Sequence, residues 1–487
     1  MAGLNIEYKW KAFIAVGLSL VTMVMSMSIS AVALPSIAAD LGISLKMVSW
    51  VVIANSLTVT AILLPLGRLS DLIGRKFFLC GGLIIFFAGG LMCGFSNSIG
   101  FLVASRVIMG VGGAMGQAVG TAIVVSVFPS SERGKGIASQ TTAVAVGGAL
   151  GPVFGGLILE FFDWQTLSFF ISTLSIFSFS LGFYILDDSK IGSFQSKDRV
   201  YDWAGAIFSG LAMLALVISI NNPFEFHLYG FTPFGLMIAL LFLILFVVFE
   251  LRTNSPIMNL KLFKDPVFRY ASITRIVGFM GRSSLFILLP TYLMNIKNIS
   301  PGSVGLIMLF SAVGMAVGAQ SGGRLSDRYG HWRFTVLGFV LAIVTCMFIA
   351  LFDANTSLVY ILIILLFNGF SMGFWATPNQ VATMSSVPRE SFGTIGAFVN
   401  LTRNIGNVVG QALVISVISL IMVSEGFNVQ LSEVGEVSGS TESFVFGWKI
   451  AYIAVIAITI IGLISAILTK SQNYENREIY EDTKKNS

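Results

Sequence analysis

Four arginines, Arg106, Arg275, Arg282 and Arg403, lie deep inside apolar stretches of a chain that is 55% hydrophobic and only 11% charged. Arginine keeps its proton in any protein environment, and a charge held in hydrocarbon costs at least ~2.5–3.5 kcal/mol. Each guanidinium therefore needs carbonyls, hydroxyls, water, a carboxylate at a helix end, or a substrate. No Asp or Glu lies at comparable depth, so the inventory suits neutral or anionic amphiphiles better than strongly cationic ones. Arg106 is expected to lie against the first apolar stretch near Ser26, and Arg282 to face a substrate cavity. Arg275 and Arg403 are divided between structural and site roles. Asn55, Gln117, Gln140, Asn368 and Trp375 lie at similar depth. Amide and aromatic side chains there could complete a permissive lining, and ordinary packing roles stay open for each.

A second constellation is written twice. GRLSDLIGRK (67–76) recurs as GRLSDRYGHWR (323–333), an offset of 256 (323 − 67). Asp71 and Asp327 each close an apolar stretch, where a carboxylate can accept from the free N–H groups and positive dipole end of a neighbouring helix. Arg68, Arg75 and Arg324 supply positive charge beside them, and Gly67 and Gly74 permit close approach and a tight turn. The expected contacts are Asp71 on residues 391–394 and Asp327 on residues 134–137. A third motif is a run of small residues, Gly147, Gly148, Gly151, Gly155 and Gly156, with Pro152 among them. Such a stripe lets another helix approach backbone to backbone, and the proline bends its helix. A sealing or pivoting surface between two halves is expected there.

These residues must be positioned by membrane helices. A hydrocarbon core about 30 Å thick needs roughly 20 apolar residues per crossing. Fourteen stretches qualify: 12–36, 47–66, 77–95, 99–127, 136–160, 164–186, 203–221, 231–250, 270–295, 301–322, 334–352, 357–385, 392–422 and 445–468. They neither alternate in polarity nor stop near ten residues, which excludes an outer-membrane barrel. The first stretch is too long for a signal-peptide core and reads as the first span. The fold class is an all-α polytopic membrane protein. Paired motifs at nearly constant offset divide it into two pseudo-symmetric six-helix bundles, 1–186 and 269–470. Between them lies an inserted pair of spans, 187–268, with polar linkers, expected outside the core; 471–487 is a tail. Most Lys and Arg fall in the loops and tails of one side, with only Lys46, Lys297 and Lys449 in or beside the other. The positive-inside bias then puts both termini in the cytoplasm. Cys80, Cys93 and Cys346 read as buried apolar residues.

The 67–76 string resembles the loop signature of the major facilitator superfamily, and 323–333 its weaker second-half version. LVASRVIMGVGGA (102–114) is similar to the family's fourth-helix motif, carried by Arg106, and GPVFGG (151–156) to the fifth-helix motif of its exporters. With fourteen spans, the chain resembles the fourteen-helix drug:proton antiporter branch. The resemblance implies alternating access, export of drug-like compounds across the cell membrane and exchange for protons. It also implies that the Asp71 and Asp327 contacts act as two latches of a gate, the first being the stronger because it matches the family signature better. MSMSISAVALP (25–35) departs from that branch's first-helix pattern: Ser26 stands where a membrane Asp is usual. Asp40, Glu160 and Asp71 remain as acids for coupling, and none is an obvious choice.

Other classes fit poorly. The histidines, His227 and His331, lie in loops, and there is no Cys/His cluster, phosphate-cradling loop or intramembrane acid–base pair. An enzyme is not expected, nor a metal, a cofactor or a nucleic-acid partner. The expected partners are a small-molecule substrate, the lipid bilayer and protons, with the chain acting as a monomer. A transport-derived sensor, which usually carries an added signalling domain or a long tail, is not expected from the short charged segment 469–487. An importer or uncoupled facilitator on the same fold stays open, because fold does not set direction.

Overall fold

The computed structural model describes residues 7–191, 200–221, 228–427, 434, 437 and 439–470. The expected tail 471–487, part of the linker 187–202, His227, and the loop acids Glu433 and Glu436 lie outside the described residues. Fourteen helices are long and apolar enough to cross a membrane. The first six are α1 (Tyr8–Leu41), α2 (Leu45–Ile73), α3 (Arg75–Gly94), α4 (Ile99–Val127), α5 (Arg133–Phe161) and α6 (Trp164–Ile185). Then come α7 (Trp203–Asn221) and α8 (Leu228–Arg252). The last six are α9 (Pro266–Thr291), α10 (Pro301–Tyr329), α11 (His331–Ala350), α12 (Leu358–Ser385), α13 (Phe392–Ser424) and α14 (Ser440–Leu468).

Local chemistry sets the ends. Ser44, Ser98 and Ser357 accept from the third N–H of α2, α4 and α12, and Asp265 caps α9 ahead of Pro266. The repeated strings are not loops. Both continue their helices, and each break is confined to one glycine, Gly74 at φ 129° and Gly330 at φ 88°. A Cβ at Gly74 would meet no neighbouring atom. That glycine is needed for its backbone angle, which L side chains rarely adopt. The last turn of α2 is largely buried, with Ser70, Asp71 and Leu72 all under a tenth exposed, whereas in α10 only Ser326 is buried among the last four residues.

Helices α1–α6 pack on one another, as do α9–α14. Close pairs are small-residue seams: Gly314, Gly318 and Gly322 of α10 lie on the backbone of α12, where Gly369 and Gly373 answer them. With little hydrophobic force between helices in lipid, such backbone approach supplies the packing. The two groups meet through α2 on α13, α5 on α10, α4 on α13 and α5 on α12. The first two contacts exchange under the motif repeat, α2 answering α10 and α13 answering α5. Helix α7 packs on α8 and α2 and lightly on α13, while α8 leans on α7 and faces outward over much of its surface.

Candidate substrate cavity and gate

The face carrying both repeated strings also carries the start of α1 and the end of α14, and is called here the terminal face. There Asp71 accepts from the N–H of Gly393 at 2.9 Å and of Thr394 at 2.8 Å. The Thr394 hydroxyl adds a bond at 3.1 Å. All three donors belong to the first turn of α13. Arg75 donates from Nη2 to the same carboxylate at 3.1 Å and to the Arg389 carbonyl at 3.1 Å. Its Nη1 reaches Ser126 and the Ile191 carbonyl at 2.7 and 3.0 Å. Arg75 thus ties α2, α4 and the turn before α13 to one buried charge pair.

Across the pseudo-symmetric seam, Asp327 accepts from the N–H of Gly134 at 2.7 Å and of Lys135 at 3.0 Å, in the first turn of α5. Position 331, the equivalent of Arg75, is His331, so this carboxylate lacks an arginine partner. Gly67 and Gly323 lie against Gly393/Ala397 and Gly134/Ala138, where a Cβ would collide. Arg68 and Arg324 join neither latch. Arg324 is exposed, and Arg68 is half-buried beside the inserted pair.

Above the latches runs a layer of polar contacts between the two groups of helices. Gln320 donates to Thr142 at 3.1 Å, Gln380 to Thr121 at 3.3 Å, and Asn400 to the Gln117 carbonyl at 2.9 Å. Arg403 donates to Gln117 Oε1 at 3.2 Å. Arg275 donates to the Val399 carbonyl at 2.9 Å and Gln380 Oε1 at 3.2 Å, while its Nη1 is buried without a partner. The charge of Arg403 acts on both Arg275 and Arg282. Three positive charges therefore share the middle of the molecule with neutral acceptors.

Arg106 and Ser26 line one cavity with Ile29, Met109 and Trp164, enclosed by α1, α4 and α6. The structure brings the two residues together inside the first group of helices, away from the seam. Arg282 lines a second cavity with Asn368, Met372 and Trp375, enclosed by α9, α11, α12 and α14, and its Nη1 lies 2.9 Å from Met315 Sδ. Each cavity admits about one water molecule. Asn55 donates to the Arg106 carbonyl at 3.3 Å, joining α2 to α4. Trp375 is 2% exposed and wedged between Phe279 and Phe339 as a packing element.

The glycine stripe of α5 faces a different partner from the one expected. Gly147, Gly151 and Gly155 lie on Val21, Met25 and Ser28, and Val32 of α1, within one group of helices. Gly156 faces open space, and Pro152 is turned toward Gly305 of α10. The sequence specifies a close approach but not which neighbour makes it, and α1 takes the groove. Of the acids left for coupling, Asp40 accepts from the Trp164 indole at 2.8 Å at the far face and Glu160 is exposed. A buried acid that sequence reasoning passes over is Glu250, whose place at a helix end conceals its 4% exposure.

This arrangement, two helix groups sealed at one face by mirrored carboxylate contacts and polar at their seam, is that of an alternating-access membrane transporter. The family model of the Major Facilitator Superfamily matches residues 16–411. The chain belongs to that superfamily, whose members are transporters acting on small molecules rather than enzymes. It is 28% identical over 462 residues to the riboflavin transporter RibZ of Clostridioides difficile, covering 95% of this chain and 97% of that one. It is 25% identical over 409 residues to multidrug resistance protein 3 of Bacillus subtilis, covering 82% and 78%. The human organic anion transporter MFSD10 superposes with a TM-score of 0.67 over 94% of this chain and 99% of its own, at 14% identity.

Proposed function

We propose that this protein exports small amphiphilic or drug-like compounds, neutral or anionic, across the cell membrane in exchange for protons. The working unit is a monomer of two bundles, 1–186 and 269–470, with the two spans of the inserted pair 187–268 outside the two-bundle core. Both termini are cytoplasmic, which the basic bias of the terminal-face loops supports. The carrying observation is the pair of latches: each is a carboxylate on a helix N-terminus across the seam, made while that face is closed and necessarily broken when it opens. The arginines at mid-depth, with no carboxylate among them, support the charge preference. Relatives named as multidrug resistance proteins support the substrate class.

The test is flux in proteoliposomes loaded with a fluorescent amphiphile, with and without an imposed proton gradient. Export predicts that substrate moves against the gradient-driven proton current and that collapsing the gradient stops accumulation. Equal flux in both conditions removes the exchange reading. A second reading, uptake or uncoupled passage of a neutral solute, is favoured by the near full-length likeness to a riboflavin transporter. Accumulation with the proton current would decide for coupled uptake, and equal flux in both conditions for uncoupled passage.

A further inference from the structure

At the terminal-face end of the inserted pair two carboxylates meet. Glu250, in the last turn of α8, accepts from the Ile257 N–H at 3.1 Å through Oε1, with the Met258 N–H also near its carboxylate, and its Oε2 is buried with no donor in hydrogen-bond geometry. Asp202, just ahead of α7, accepts from the Gly205 N–H at 2.9 Å through Oδ1, and its Oδ2 is likewise buried and unpartnered. The two acids flank Gly205: a Cβ there would stand 2.7 Å from Asp202 Oδ2 and 2.9 Å from Glu250 Oε1. Among the described residues the other charged or titratable neighbours are few. Arg68 of α2 acts on Glu250, and its own Nε is unpartnered. Tyr201 donates to the Pro65 carbonyl of α2 at 3.1 Å. Arg252, Lys261 and Lys264 stand exposed.

Two unpartnered acceptor oxygens on neighbouring carboxylates mark a missing hydrogen. Like charges so placed disfavour joint ionisation, and a buried acceptor without a donor is costly. One proton on Glu250 Oε2 removes one of the two like charges and turns that unpartnered acceptor into a donor, while Oε1 keeps its bond to Ile257. The position also matters. The hydrogen bond from Glu250 holds the segment after α8, whose Ile257 and Met258 are 2% and 3% exposed. They pack in one cluster with Leu63 and Leu64 of α2, Val381 of α12 and Phe392 of α13. Glu250 therefore holds a segment that shares a hydrophobic cluster with Phe392, the first residue of the helix on which the Asp71 latch closes.

We propose that Glu250, backed by Asp202, is a proton-binding site, loaded while the terminal face is sealed and emptied when that face opens. On opening, water reaches the pair, the Oε2–H bond breaks, the proton passes to water and the glutamate is left charged. The role in a transport cycle rests on the proton-exchange reading above; the bound proton does not. Infrared spectroscopy of the purified full chain in lipid nanodiscs tests it without any substrate. The wild type at neutral pH should show a protonated-carboxyl C=O band that Glu250→Gln lacks. Asp202→Asn, which removes the like charge, should lose the band at a proton concentration about tenfold higher. Asp71→Asn, which unlatches the face, should weaken the band at neutral pH. A band unchanged in Glu250→Gln overturns the site, and one unchanged in Asp71→Asn overturns its link to the gate. Absent gradient-driven flux with the band present would count against the transport reading alone.

Discussion

Asp71 accepts four hydrogen bonds and Asp327 two. The two extra bonds trace to two differences between the repeats, Arg75 against His331 and the Thr394 hydroxyl against Lys135. A carboxylate at a helix N-terminus contributes roughly 0.3–1 kcal/mol when exposed and up to ~2 when partly buried. Asp71→Asn removes the charge and turns an amide donor toward donors, so the closed state should lose about 1.4 kcal/mol, a tenfold shift toward opening. Asp327→Asn, in a half-exposed site, should shift it less. Labelling of a cysteine at Gln320 would rank the two, and a larger effect at Asp327 would refute the ranking. The arginines predict a charge preference of the same residue scale. Removing Arg403 or Arg282 should weaken binding of 8-anilinonaphthalene-1-sulfonate by about tenfold. Binding of its uncharged parent N-phenyl-1-naphthylamine should hardly change. Equal losses for both probes would assign the arginines to packing.

Individual helices were legible because a crossing needs about 20 apolar residues, and each expected stretch lies largely within a helix of the structure. Their ends were less so. Residues 67–73 read as a loop because they are polar, yet α2 carries them as helix because Gly67 lets α13 cover that turn. The latch contacts were legible too, since the repeat offset together with the resemblance to the superfamily's loop signature pointed to both ends of each. The partner of the α5 stripe was not, because glycine spacing encodes closeness and not identity. Glu250 was missed because its burial depends on where residues 253–259 fold back. The stripe gives a prediction at this scale. Gly151→Ala forces a methyl onto Ser28, whereas Gly156→Ala adds one in open space. Overpacking costs typically ~1–3 kcal/mol, so Gly151→Ala should lower the melting temperature in detergent while Gly156→Ala leaves it unchanged. Equal melting of the two variants would mean α1 does not seat on the stripe.

Across the whole molecule the hydrogen bonds that join α1–α6 to α9–α14 gather toward the terminal face: the two latches, Gln320 on Thr142, Gln380 on Thr121 and Asn400 on Gln117. A transporter held together on one side by modest contacts, each worth about 0.5–1.5 kcal/mol net, can exchange that side for another without unfolding either group. The rigid parts are the glycine seams within groups, and the breakable parts are the polar contacts between them. This division predicts the effect of a covalent bond at the breakable seam. With Cys80, Cys93 and Cys346 replaced, cysteines at Gln320 and Thr142 should be joined by a short bifunctional reagent in the resting protein. Turnover should then stop, because α10 and α5 can no longer part at the terminal face. Binding of a probe from the opposite side should persist, and cleaving the linker should restore transport. Full turnover of the linked protein would mean the seam between these two groups of helices does not open, and alternating access would have to run elsewhere in the molecule.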